Sequence, residues 1–193
     1  MPHAESIKIY VPDKTYGGDD WETESPKFRD ALVKLFDQSF EEIDLGTGAS
    51  ELAFWTTLVV SPPIVAALAI FFNGKRIEEN LDAWQKLYKR LTGYLEHRAV
   101  FDRDGAAILA IEGIRSALGK LPSSVRLVGY HTDSLFNRSL EEAQSDNAVV
   151  HVIGEPLSWV RAATMHIFQI EADGEMFKVI VQGPRVVTAK IEG

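Results

Sequence analysis

Residues 52–74 carry no charged side chain. The run opens with Leu52-Ala53-Phe54-Trp55, closes with Ile70-Phe71-Phe72-Asn73-Gly74, and is bounded by Glu51 on one side and Lys75-Arg76 on the other. More than about eighteen uncharged, mostly apolar residues are enough to cross a bilayer as a helix. The flanks have the matching asymmetry. Glu41, Glu42, Asp44 and Glu51 lie before the run, and Lys75, Arg76, Lys86, Lys89 and Arg90 lie after it. Three features oppose a span. Pro62-Pro63 removes two backbone donors at its middle, Thr56, Thr57 and Ser61 dilute its first half, and the rest of the chain needs an apolar partner. The reading is a soluble core built from a helix pair over about 49–60 and 63–73, broken at Pro62-Pro63. The alternative is a membrane-associated protein that inserts residues 52–72.

Around that run the periodicity changes from helical to extended. Ile7-Lys8-Ile9-Tyr10-Val11 alternates as a strand. Ser25-Pro26 reads as a helix start, with Phe28, Leu32, Leu35, Phe36 and Phe40 on one face of a helix over 26–40. Ile77, Leu81, Trp84, Tyr88, Leu91 and Leu95 form a heptad-like seam that predicts a helix over 76–97. Asp102 or Asp104 caps a further helix over 103–119, with Ala107, Ile111, Ile114 and Leu118 buried and Gly119 as its stop. Ser139-Leu140-Glu141-Glu142 is a capping-box pattern for a short helix near 140–145.

Strands are predicted over about 124–131, 148–153, 164–172, 175–182 and 186–191. Asp173-Gly174 is a strong two-residue hairpin signal. It sets Ala172 opposite Glu175, Ile170 opposite Phe177, Phe168 opposite Val179 and His166 opposite Val181, which turns His166 toward the core. The other face pairs Gln169 with Lys178 and Glu171 with Met176 and reads as wetter. One strand, then helices, then mostly strands is an α+β order. With 193 residues the chain is expected to be a single domain, mainly helical over 1–122 and mainly β over 123–193, the helical layer packed on a mostly antiparallel sheet.

Charge and composition narrow the function. The net charge is −8, which repels phosphate backbones and disfavours nucleic acid as a partner. Without cysteine there is no disulfide framework, thiolate metal site or cysteine nucleophile. The first residues, Met1-Pro2-His3-Ala4-Glu5-Ser6, lack the pattern of a secretory or transit signal, and a cytoplasmic location is expected, with the membrane as alternative.

Ile43-Asp44-Leu45-Gly46-Thr47-Gly48-Ala49-Ser50 resembles the first motif of class I S-adenosylmethionine-dependent methyltransferases. The resemblance implies cofactor binding by Asp44, Gly46 and Gly48. It departs at Ser50, where the family keeps glycine, and near Asn73, where the family expects an acid at the end of the next strand. The bland reading of the same residues is a chain break between two helices. His131, His151 and His166 fall on the predicted strands, and with Asp133 they are weak candidates for a metal site, although no HxH or HxxxH pair is present. No Gly-x-Ser-x-Gly elbow marks a nucleophile. The Lys86, Lys89 and Arg90 cluster reads as a solvated helix face.

No catalytic constellation stands out, so no catalytic residue, cofactor or metal is assigned. The expectation is an accessory or regulatory interaction module that works through a protein partner or self-association. A methyltransferase-type enzyme is the second alternative.

Overall fold

Strand β1 (Ser6–Asp13) turns Ile7, Ile9 and Val11 inward, each fully buried, and leaves Lys8 and Tyr10 on the outer face. The computed structural model describes residues 6–13, 20–43, 52–78, 81–134, 150–153 and 164–191. Helix α1 (Trp21–Phe36) follows β1, then β2 (Glu41–Glu42) and β3 (Leu52–Val59). Two further helices, α2 (Pro62–Phe72) and α3 (Leu81–Leu95), lead to β4 (Val100–Phe101). These strands form a sheet in the order β2-β3-β1-β4, with every neighbour antiparallel. That order, with helices on one side, is a split β-α-β arrangement.

Residues 52–59, expected to be helical, form β3 instead. The period is two: Phe54, Thr56 and Leu58 are buried, while Trp55, Thr57 and Val59 face outward. The outward face carries an indole, a threonine and a valine rather than charges, which hid the alternation in an all-uncharged run. Ser61 then takes an extended conformation at the helix N-cap, and Pro62 and Pro63 open α2. Proline there removes N–H groups that have no partner in the helix anyway, so the pair starts a helix rather than kinking one. At 11 residues α2 is about 16 Å long, half the thickness of a hydrocarbon core. No helix among the described residues is long and apolar enough to cross a membrane, and the span considered for 52–72 does not form.

Helix boundaries differ from expectation in two other places. Helix α1 begins at Trp21, not Pro26, because Asp20 is its cap and accepts from the Thr23 N–H at 3.2 Å. Pro26 lies inside the helix, where the carbonyl it leaves unpaired belongs to exposed Glu22 and meets water. Leu35, placed on the buried stripe, is 57% exposed, and Asp37 ends the helix in the left-handed region at φ 52°. Helix α3 begins at Leu81 rather than 76, because Ile77 bridges to Val125, its N–H 2.8 Å from the Val125 carbonyl. The buried seam is Leu81, Trp84, Leu87, Leu91 and Tyr94, with Tyr88 and Leu95 at its margin.

Helix α4 (Arg103–Leu118) leads out of this first layer, capped by Asp102, whose carboxylate accepts from Gly105 N–H at 3.0 Å, and closed by Gly119 at φ 70°. After it come β5 (Val125–Ser134), β6 (Val150–Ile153), β7 (Thr164–Ala172), β8 (Glu175–Gln182) and β9 (Arg185–Ile191). They make a second antiparallel sheet in the order β5-β7-β8-β9-β6. The chain therefore has two sheets where one was expected. The hairpin register agrees pair by pair with the expectation, from Ala172–Glu175 to His166–Val181. The other face is wet only near the turn; Met165, Ile167, Ile180 and Val187 form a second buried cluster farther along it. The short helix expected near 140–145 lies outside the described residues.

Every residue of α4 from Asp104 to Ile114 is buried, because the helix runs between the two layers. Two glycines permit the approach. A Cβ on Gly105 would stand 2.8 Å from Phe101 Cβ and 2.9 Å from Ile7 Cγ2, against the first sheet. A Cβ on Gly113 would stand 2.6 Å from Thr188 Oγ1 and 2.7 Å from Val186 Cγ1, against the second. Gly93 in α3 has room, with its nearest neighbour at 3.7 Å. Gly113→Ala should therefore lower unfolding free energy by about 1–3 kcal/mol in urea titrations, overpacking outweighing helix propensity. Gly93→Ala should be neutral or stabilising by up to about 1 kcal/mol.

Candidate functional site

Strand β3 is eight residues long and β2 only two, so β2 covers a small part of its edge. Glu41 pairs with Trp55 and Glu42 with Phe54, and Ile43 N–H reaches the Ala53 carbonyl at 2.8 Å. Backbone groups in a strand alternate sides, so Ala53, Trp55, Thr57 and Val59 all direct theirs toward β2. On the far side, Lys8, the partner of Thr57 on β1, directs its own N–H and carbonyl to Asp102. Thr57 and Val59 therefore project backbone donors and acceptors at an edge with no strand beside it among the described residues. Val59 is also 70% exposed.

The preceding chain peels away from that edge at Ser39, whose carbonyl accepts from the Thr56 hydroxyl at 2.8 Å. What opens there is a cleft of about 360 Å³ lined by Gln38, Ser39, Glu41, Trp55, Thr56, Thr57, Val59 and Arg90. It wraps the edge. Glu41, Trp55, Thr57 and Val59 lie on the outer face of the sheet, while Gln38, Thr56 and Arg90 of α3 lie on the helix side. Lys8 Nζ stands 5.6 Å from the Trp55 ring. Gln38 is held by its oxygen, which accepts from Tyr94 Oη at 3.0 Å. Tyr94 is itself stacked on Phe36 at 4.1 Å, and burial raises its hydroxyl pKa, so it stays a donor. Gln38 lines the cleft, and its side chain also carries an amino group, a donor by nature. Glu41 and Arg90 form no ion pair among the described residues.

A second polar cluster lies at the junction of the two sheets. His166 on β7 is 7% exposed, and its Nδ1 is 2.9 Å from the Tyr130 hydroxyl on β5. Burial lowers the imidazole pKa from 6.5, opposed by a hydrogen bond to the Phe101 carbonyl on β4. Beside it Arg103 stacks 4.1 Å over the Phe72 ring and pairs with buried Asp104 at 3.1 Å. Asp102 caps α4 and accepts from Lys8 N–H at 2.9 Å; burial raises its carboxyl pKa, with those backbone hydrogen bonds opposing. His166 and Asp104 are buried and each has a partner, which is how a structural junction satisfies buried polarity.

Of the residues singled out in the sequence, the structure describes only some. Asp44, Gly46 and Gly48 lie outside the described residues. The segment that carries them joins β2 to β3, antiparallel neighbours, whereas the methyltransferase motif joins a strand to a helix. His131 and Asp133 are on β5 at one edge of the second sheet, and His151 is on β6 at the other. His166 pairs with Thr132, one residue out of phase with exposed His131, so the two face opposite sides. Among the described residues no group of three or more His, Asp or Glu side chains is placed to hold a metal ion. Arg90, read as part of a solvated face, is on the cleft wall. No protein family, curated protein or solved structure matches the chain.

The His166 junction makes the fold sensitive to acid in a defined direction. Unfolded imidazole takes up a proton near 6.5, while burial holds the folded value lower. The unfolded state therefore binds more protons below 6.5, and stability is full above that pH and declines as pH falls through the window. Melting between about pH 7.5 and about pH 5.5 should show this decline, and His166→Gln should flatten it. Equal slopes in the two proteins would assign the effect to another group. His166→Ala should lower stability by about 2–4 kcal/mol at neutral pH, as expected of a core side chain rather than an exposed ligand.

Proposed function

We propose that this chain is a protein-interaction module that accepts an extended segment of another polypeptide along the open edge of β3. The observation that supports the reading is the mismatch between β3 and β2, which leaves the backbone groups of Thr57 and Val59 with no strand beside them among the described residues, above a cleft. Unprotected edges invite pairing and are usually blunted by charge, proline or a covering element. Here the edge is neutral, and its two exposed residues, Thr57 and Val59, both favour strands. Strand addition draws affinity from main-chain hydrogen bonds and specificity from alternate side chains, and the cleft offers both. An accessory or regulatory role suits a module that works by binding. The cysteine-free composition suits a reducing compartment such as the cytoplasm.

Screening a displayed library of random peptides against the full chain tests this. Bound sequences should be extended and β-favouring, and their binding should disappear in Thr57→Pro. That substitution removes the N–H a guest would use but no β1–β3 hydrogen bond, so the melting temperature should hold near that of the parent. Binding that survives Thr57→Pro, or an absence of enrichment, would overturn the reading. Self-pairing of two copies through the same edge would appear as concentration-dependent dimerisation abolished by the same substitution.

A further inference from the structure

The geometry points to an acidic segment as the guest of the β3 edge, a step that rests on the strand-addition reading above. Arg90 lines the cleft from the helix side. Lys86 lies one turn before it on α3, with Lys89 between them, and all three are exposed. None of the three forms an ion pair among the described residues. Like charges four apart on a helix repel one another, and here they are gathered in a chain whose net charge is −8. An anion entering the cleft relieves that repulsion.

The pleat then decides which side of the guest carries the charge. A strand laid along Thr57 and Val59 alternates its side chains between the outer face and the helix side. On the outer face they would meet Val59 and Trp55, with Glu41 at the β2 end, so that face favours apolar residues and repels carboxylates. On the helix side they would meet Arg90 and Gln38, whose side chains carry N–H donors suited to a carboxylate. The preferred guest therefore alternates apolar and acidic residues. A nucleic-acid strand shares the charge but has no backbone amides to pair with the edge, and the acidic molecule repels it as a whole.

Fluorescence anisotropy with a labelled heptapeptide that alternates valine and glutamate tests the assignment. Counterparts carry glutamine or lysine in place of each glutamate, and an oligothymidylate serves as competitor. The glutamate peptide should bind at least about tenfold more tightly than the glutamine peptide, and weaken as salt rises. Arg90→Gln should remove most of that preference, weakening the glutamate peptide far more than the glutamine peptide, and Thr57→Pro should weaken every peptide. Equal binding of the glutamate and glutamine peptides, lost in Thr57→Pro, would overturn the acidic preference and leave strand addition standing. Glutamate-peptide binding indifferent to Thr57→Pro, or displaced by the oligothymidylate at similar concentration, would mean a general anion patch and would overturn both. Failure of every peptide to bind would also overturn both.

Discussion

Helix α4 touches both sheets, and at two points it does so through the bare backbone of a glycine. Gly105 meets Ile7 and Phe101 of the first sheet, and Gly113 meets Val186 and Thr188 of the second. Between them Ala106, Ala107 and Ala110 keep the helix thin, and Ile108, Leu109, Ile111 and Ile114 fill the remaining space. A helix buried nearly all round has no amphipathic stripe, which suits a position between two layers. The principal core cluster consequently runs without a break from β1 and β3 through α2, α3 and α4 to β7, β8 and β9. The two sheets thus share one interior.

The entry to α4 also sets the polar junction. Asp102 serves the helix through Gly105 and the first sheet through Lys8. Its neighbour Phe101 offers a carbonyl to His166 of the second sheet. The contact that joins the layers thus fixes Lys8 toward Asp102, and the alternation of β1 and β3 then directs Thr57 and Val59 to the opposite, open side. The docking edge and the central helix are linked by strand register, not by proximity.

How much of this could be read beforehand depended on whether the deciding signal was local. The β7–β8 hairpin was legible to the residue pair, because Asp173-Gly174 fixes the turn and an alternating pattern fixes the faces. Helix α4 was legible from Asp102 and Gly119. Strand β3 was not: both its faces are uncharged, so no polar alternation marks a strand in residues 52–59, and the aromatic and β-branched residues Phe54, Trp55, Thr56, Thr57 and Val59 were the one local signal for it. The start of α1 was misplaced because Pro26 resembles a first-turn proline while the cap is Asp20. The cleft was invisible for a different reason. An open edge is a difference in length between β2 and β3, and Arg90 joins it from a helix more than thirty residues away in sequence. The α+β class survives all of these changes, because it rests on the order of elements and not on their ends.

Native-state hydrogen exchange, followed through α4, β1 and β7–β9 in rising sub-denaturing urea, tests the shared interior most directly. If α4 couples the layers, the slowest amides of all three regions should merge into one opening free energy equal to that of global unfolding. If β1 and β3 open at much lower free energy while α4 stays protected with β7–β9, the two sheets are separate cooperative units and the account of a single core is wrong.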